Sequence, residues 1–85
     1  MSNVDKVLQM SRLCDRAIEF IQQVLPNGYY MDDCSVDEDR IEINIFDSKR
    51  EGAGRVDRFS FRRFPDVPVE ERLTERLNEW KERWN

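Results

Sequence analysis

The sequence predicts a two-layer α+β fold, in which a three-stranded antiparallel meander carries two helices on one face, in the order α-β-β-β-α. Two long segments repeat apolar residues with the helical period, and three short segments between them alternate apolar and polar residues. Short polar stretches join the strand segments, as in a meander. Both helical segments have an apolar face, and the same face of the sheet is expected to cover both. Residues 1–85 are therefore expected to form a single domain.

The first helix is predicted over residues 3–25. Its charged and amide side chains lie opposite the apolar sector. Ser2 and Asp5 resemble a capping box at the start of the helix, and the Pro26-Asn27-Gly28 sequence ends it. At about 100° per residue, the centre of the apolar sector consists of Val7, Cys14, Ile18, Ile21 and Leu25.

The first strand is predicted over residues 29–36, with an irregularity in its middle. Strict alternation would direct Asp32 into the core together with Cys34. A bulge near Asp32 and Asp33 avoids this, because it inserts one extra residue into the strand. The bulge lets the apolar residues share the inward side, namely Tyr29, Met31, Cys34 and Val36.

Residues 40–47 form the clearest strand, with three isoleucines on one side and Glu42, Asn44 and Phe46 on the other. The third strand is predicted over residues 55–64, where Phe59 and Phe61 point inward. Its outward side chains include Arg58, Arg62 and Phe64. Pairing Ile45 with Phe59 would place Glu42 opposite Arg62 and Phe46 opposite Arg58, which would make a charge pair and a cation–π pair.

The second helix is predicted over residues 68–84. Glu70 and Glu71 suit the positive end of its dipole. Trp84, close to the end of the sequence, is expected to be partly exposed or buried against a second subunit. The helix has one apolar stripe, and the rest of its surface is charged or polar. The stripe consists, at spacings of 4, 4, 3 and 4 residues, of Val69, Leu73, Leu77, Trp80 and Trp84.

The order helix, three strands, helix resembles that of the double-stranded-RNA-binding domain. Domains of that family grip phosphates with a basic cluster at the start of the last helix. The corresponding residues here, Pro68-Val69-Glu70-Glu71-Arg72, are acidic. The resemblance therefore covers element order alone and does not predict RNA binding.

Catalysis and metal binding find little support in the sequence. The chain has no histidine, which is the usual base near neutral pH. Cys14 and Cys34 both fall at apolar-facing positions and are expected to be reduced core thiols. A calcium loop starting at Asp33 would need glycine where Glu38 stands and glutamate where Asn44 stands. We expect no enzymatic activity, no metal and no cofactor.

Charge is distributed unevenly along the middle of the chain. Apolar residues make up 39% of the sequence and charged residues 38%, with a net charge of −4. Residues 29–47 contain seven acids and one base, a net charge of −6. Residues 48–64 contain two acids and six bases, a net charge of +4. Neighbouring strands therefore carry opposite charge, and no continuous basic stripe typical of a nucleic-acid surface is expected.

These features favour a small acidic, non-enzymatic interaction module. Its expected partner is another protein, which it would bind at a basic surface. Inhibitors that phages or mobile elements encode, and that occupy the nucleic-acid-binding surface of a host protein, are examples of this class. The alternatives are a nucleic-acid-binding module that uses the basic third strand, and a structural homodimer or assembly subunit. No apolar run approaches the roughly 20 residues of a membrane span, and the sequence favours a cytoplasmic protein. The predicted protein-binding residues are Asp32, Asp33, Asp37, Glu38, Asp39, Glu42, Phe46, Arg58, Arg62 and Phe64.

Overall fold

The computed structural model describes residues 3–49 and 54–84. All five predicted elements are present, and β3 is shorter than the predicted 55–64. Ser2 of the predicted capping box and residues 50–53 of the predicted loop lie outside the described residues. The elements are α1 (Asn3–Val24), β1 (Tyr29–Val36), β2 (Arg40–Asp47), β3 (Asp57–Arg62) and α2 (Val69–Trp84).

The strands form one antiparallel sheet in the order β1-β2-β3. β1 has an irregularity between Asp32 and Ser35, where the predicted bulge is confirmed. Asp33 takes the left-handed conformation there, with φ of 51°, which aspartate tolerates better than most residues. Its amide donates to Asp32 Oδ1 (2.8 Å), and its carbonyl accepts from Asn44 Nδ2 (2.9 Å). These local bonds hold the chain where the ladder is interrupted.

The predicted pairing of β2 with β3 is wrong by two residues. Phe59 lies opposite Ile43 and not Ile45, so Arg58 faces Asn44 and Arg62 faces Arg40. Glu42 faces Ser60, and its carboxylate instead pairs with Arg40 at 3.3 Å. A shift of two residues keeps every side chain on its own face, so the alternation of the sequence is equally compatible with both pairings.

Both helices pack on the face that carries Ile43 and Phe59, as predicted. α1 contacts β1 and β2, α2 contacts β3, and the two helices contact each other. This arrangement buries one continuous apolar core, which is the dominant favourable term in folding. Its buried members are Met10, Leu13, Cys14, Ala17, Ile21, Ile41, Ile43, Ile45, Phe59, Phe61, Leu73, Leu77 and Trp80.

Trp84 is partly buried by contacts within its own chain. Its ring lies edge-on to Tyr29, with centroids 5.1 Å apart, and 5.6 Å from the ring of Trp80. Both indole N–H groups donate to Asp57 Oδ2, at 3.1 Å from Trp80 and 2.6 Å from Trp84. The last turn of α2 is thereby tied to the start of β3.

The two cysteines differ in environment, although both are free. Cys14 is buried as predicted, whereas Cys34 is exposed, so the expectation of two core thiols is wrong for Cys34. β1 is an edge strand, and Cys34 lies within its bulge, where the alternation of inward and outward side chains is interrupted. Burial, reinforced by the nearby Cys34 and Asp15, raises the pKa of Cys14 from 9.0 to about 11. Cys34 is exposed as a residue, but partial desolvation of its sulfur and then the carboxylates of Asp32 and Asp33 raise the pKa of this thiol as well.

Alkylation is expected to separate the two thiols. Iodoacetamide at about pH 8 should modify Cys34 in the native protein and spare Cys14, because the reactive thiolate of Cys14 is both buried and disfavoured. Peptide mass analysis measures this, and unfolding in urea should equalise the two rates. Equal modification of both thiols in native protein would contradict the burial of Cys14.

Since the folded state raises the pKa of Cys14, the stabilisation from this residue is present below pH 9 and is lost as pH rises towards 11.

Candidate protein-interaction surface

The outer face of the sheet, on the side opposite the helices, is open. In residues 3–49 and 54–84 both helices pack on the inner face, and no element covers the outer one. The alternation that buries the isoleucines and phenylalanines turns the intervening side chains outward. By the observed pairing, the outward residues are Tyr30, Asp32 and Ser35 of β1, Arg40, Glu42, Asn44 and Phe46 of β2, and Arg58, Ser60 and Arg62 of β3.

An aromatic pair lies at one end of this face. Tyr30 and Phe46 are opposite each other on β1 and β2, and their rings stack with centroids 5.6 Å apart and planes inclined by 24°. Tyr30 is 46% exposed, and Phe46 is half-buried. Sequence reasoning selected Phe46 with Arg58 as its predicted partner and missed Tyr30. The available signal was that Tyr30 points outward from β1, on the same face as Phe46, because two aromatic residues opposite each other on neighbouring strands stabilise the sheet.

The β1–β2 turn carries three of the predicted acids, and they differ in role. Asp37 Oδ1 accepts from the amides of Asp39 (2.8 Å) and Arg40 (2.7 Å). These backbone hydrogen bonds lower the pKa of Asp37, so the carboxylate holds the turn as well as carrying charge. The side chains of Glu38 and Asp39 make no hydrogen bond or ion pair with the described residues and remain available to a partner.

Asp32 and Asp33 lie in the bulge of β1, both exposed. With the acids of the turn they form one side of the molecule, here called the acidic margin and consisting of Asp32, Asp33, Asp37, Glu38 and Asp39. Glu42 lies further in, on β2, where it is paired with Arg40. The structure therefore brings the predicted acids together along β1 and its turn, and it gives Glu42 an internal partner.

The predicted basic and aromatic residues of β3 lie on the opposite side of the sheet. Arg58 Nε donates to Asn44 Oδ1 at 3.4 Å, so Arg58 does not make the predicted contact with Phe46. Arg62 makes no hydrogen bond or ion pair with the described residues. Phe64 follows β3 and is 50% exposed. The ten predicted residues are therefore spread across the sheet. Five acids follow β1 and its turn, Arg58, Arg62 and Phe64 belong to β3 or follow it, and Glu42 and Phe46 lie between them on β2.

Among the described residues, the structure has neither a cluster of metal-binding side chains nor a membrane-spanning helix. There, no group of three or more cysteine, aspartate or glutamate side chains is placed to hold a metal ion. Neither helix combines the length and apolar character needed to cross a membrane.

No protein-family model matches the chain, and comparisons with curated proteins and with solved structures give no match either. Function is therefore inferred from the surface chemistry of the chain itself.

Proposed function

We propose that the protein is a small non-enzymatic interaction module that docks on a basic surface of another protein through its acidic margin and the adjoining outer face. The observation that carries the proposal is the open outer face, which has the stacked Tyr30–Phe46 pair near one end, close to Asp32 of the acidic margin, and the acidic β1–β2 turn at the other end. A stacked aromatic pair stabilises its own strand pair, and on an uncovered sheet face it also presents apolar area that a partner can bury.

The two parts of this surface have different roles in binding. Aromatic side chains concentrate binding energy, because they bury a large rigid area at low entropic cost. Carboxylates at the margin of an interface accelerate encounter with a cationic partner and add less to final affinity. We therefore expect Tyr30 and Phe46 to set the affinity of the complex, and Glu38 and Asp39 to raise the association rate.

The partner chemistry follows from this charge. A protein surface that normally binds nucleic acid offers clustered arginine and lysine to an acidic ligand, so the proposed complex competes with nucleic acid for the partner. A reducing compartment such as the cytoplasm fits the proposal, because both thiols are free and one is exposed.

Charge reversal at the acidic turn tests the proposal. Partners are captured from nuclease-treated lysate, and the recovered protein is purified for kinetics with the parent and with Glu38→Lys/Asp39→Lys. We expect the association rate to fall about tenfold or more, because electrostatic steering is reversed. Asp37 is left intact, because its carboxylate holds the turn. The matched control is Asp15→Lys/Glu19→Lys on the exposed side of α1, which changes net charge equally.

Two results would contradict the proposal. One is an equal fall in association rate for the control, which would indicate a general effect of net charge. The other is retention of the partner by Tyr30→Ala/Phe46→Ala, since truncating both rings should weaken the complex about tenfold or more. Circular dichroism of each variant establishes that the fold is retained.

A further inference from the structure

We propose that a groove between the free edge of β3 and α2 binds an extended acidic peptide segment, which adds to β3 as a fourth strand. Two adjoining clefts, of about 450 and 370 Å³, share Ser60 and Arg76 and together run along this edge. We call them the arginine groove. This site lies at the β3 edge of the sheet, whereas Asp32 and Asp33 of the acidic margin lie on β1 at the other edge. The acidic turn adjoins one end of the groove, where Arg40 lines it, and the groove would take a ligand of the opposite charge to the partner of the acidic margin.

The charge of the groove contrasts with that of the whole chain. The protein carries a net charge of −4, yet the two clefts have only Glu42 and Glu79 as acidic lining. Positive charges that are concentrated in a concave site focus the electrostatic potential there and attract a negatively charged ligand. The basic lining consists of Arg40, Arg58, Arg62, Arg72, Arg76 and Arg83.

Two of these arginines are left in an unfavourable arrangement by the fold itself. Arg40 and Arg62 lie directly opposite each other on β2 and β3, where like charges destabilise a sheet. Arg40 is paired with Glu42, whereas Arg62 has no partner among the described residues. A carboxylate from a ligand would relieve this repulsion, and guanidinium groups bind carboxylates with two parallel hydrogen bonds.

The backbone of β3 offers the second half of the site. The amide of Arg63 donates to the carbonyl of Asp39 at 2.7 Å, which fixes the phase of the ladder with β2. Since hydrogen bonding alternates along an antiparallel strand, the amides of Ser60 and Arg62 then point to the free edge. The amide of Arg58 also points outward, and it donates to Asp57 Oδ1 at 2.8 Å. Ser60 and Arg62 are therefore the amides available to an added strand.

α2 forms the opposite wall of the groove. Arg76 Nη2 reaches across to the carbonyl of Ser60 at 3.3 Å, so it occupies an acceptor position that an added strand would use. Arg72 and Arg76 otherwise pair with exposed glutamates one turn on, at 3.0 Å each. Exposed ion pairs of this kind contribute little to the stability of the fold. A ligand carboxylate can therefore replace the glutamate partner with little loss of free energy.

An acidic peptide fits this groove better than a nucleic acid. Strand addition uses the peptide backbone for affinity and alternate side chains for specificity, which matches an edge strand flanked by arginines. Binding of single-stranded nucleic acid requires exposed aromatic rings for base stacking. Phe59, Phe61 and Trp80 in the groove lining are buried, and Phe64 is exposed at one end only.

The test uses a fluorescein-labelled eight-residue peptide that alternates glutamate and valine. We expect a dissociation constant of about 10–1,000 µM at low salt, since so short a strand buries less than a standard interface. A lysine–valine peptide and a glutamate–valine peptide with N-methylated backbone amides should each bind at least about tenfold more weakly. Hydrogen exchange should slow at the amides of Ser60 and Arg62, while Phe59 and Phe61, already paired with β2, change little.

Variants assign the binding to the groove. Arg62→Gln/Arg72→Gln should lower affinity for the acidic peptide about tenfold, because two charge-assisted contacts are lost. The control Arg12→Gln/Lys81→Gln removes the same charge from exposed helix positions outside the groove and should stay within about twofold. Glu38→Lys/Asp39→Lys should also retain peptide binding, which keeps this site separable from the acidic margin.

Three outcomes would overturn the proposal. The first is no binding of the acidic peptide at about 1 mM, with increased self-association of Arg62→Gln/Arg72→Gln. In that case the arginines act only to keep the edge of β3 from pairing with other chains. The second is equal binding of the N-methylated peptide, which excludes strand addition. The third is tighter binding of a 20-nucleotide single strand with a steep salt dependence, which would identify a nucleic-acid site instead.

Discussion

Replacing Ile43 with aspartate is expected to unfold the domain. Ile43 is fully buried in the central strand, opposite Phe59 and within the apolar core. A carboxylate at this position would lose its hydration with no cation or hydrogen-bond donor nearby, which costs several kcal/mol. A domain of 85 residues has a correspondingly small free energy of unfolding, on the order of 5 kcal/mol. Far-UV circular dichroism and urea titration should therefore show loss of the cooperative transition.

The matched control is Asn44→Asp, which adds the same charge one residue further along β2. Asn44 points to the outer face, where its side-chain oxygen already accepts from Arg55 and Arg58, so the new carboxylate has cationic partners. The bond from Asn44 Nδ2 to the carbonyl of Asp33 is lost, so the cost should be about 1–2 kcal/mol, well below that of Ile43→Asp. If Ile43→Asp melts at the same temperature as the parent, then the assignment of inner and outer faces is wrong.

The faces of the sheet were predictable from sequence, whereas the pairing of the strands was not. Alternation distinguishes Ile43 from Asn44 because a shift of one residue would expose the whole apolar set. It does not distinguish Phe59 opposite Ile43 from Phe59 opposite Ile45. The exact pairing depends on contacts between elements that are distant in sequence, and the alternation of apolar and polar residues carries no signal for those contacts. The predicted contacts of Phe46 with Arg58 and of Glu42 with Arg62 failed for this reason.

The charged residues of the candidate site were predicted from the sequence, but their positions relative to one another were not. The acids of β1 and its turn and the arginines of β3 were both identified from charge. Their separation onto opposite sides of the sheet depends on the order β1-β2-β3, with β2 in the middle. The arginine groove also needs Arg72 and Arg76 of α2, which in the sequence are ordinary charges on the polar side of a helix. Only tertiary packing brings them beside β3.

Asp57 is the residue whose role was most clearly missed. In the sequence it lies at the start of a strand, two residues before Phe59 and with the same inward parity. An inward carboxylate at the end of a strand needs donors, and Trp80 and Trp84 each carry an N–H that needs an acceptor when buried. The two requirements together were a usable signal for a contact between β3 and the end of α2.

Asp57→Ala is expected to lower the free energy of unfolding by about 2–4 kcal/mol, because two indole N–H groups lose their shared acceptor. Arg83, 3.6 Å from Asp57 Oδ2, loses its ion pair as well, although this exposed contact contributes little. In a domain of this size such a loss should reduce the melting temperature by at least about 10 °C. Tryptophan fluorescence during urea unfolding measures the change, since both indoles adjoin the altered carboxylate.

A double-mutant cycle with Trp84→Phe isolates the hydrogen bond from the packing of the ring. Phenylalanine keeps the aromatic contact with Tyr29 and removes the N–H, so Asp57→Ala should cost about 1 kcal/mol less in the Trp84→Phe background than in the parent. Asp57→Asn is the conservative control, because its side-chain oxygen still accepts while its charge is lost. If the asparagine variant is as unstable as the alanine variant, the charge of Asp57 matters more than its role as acceptor. If Asp57→Ala and Trp84→Phe are additive, α2 is held to β3 by ring packing alone, and the carboxylate is not the link between them.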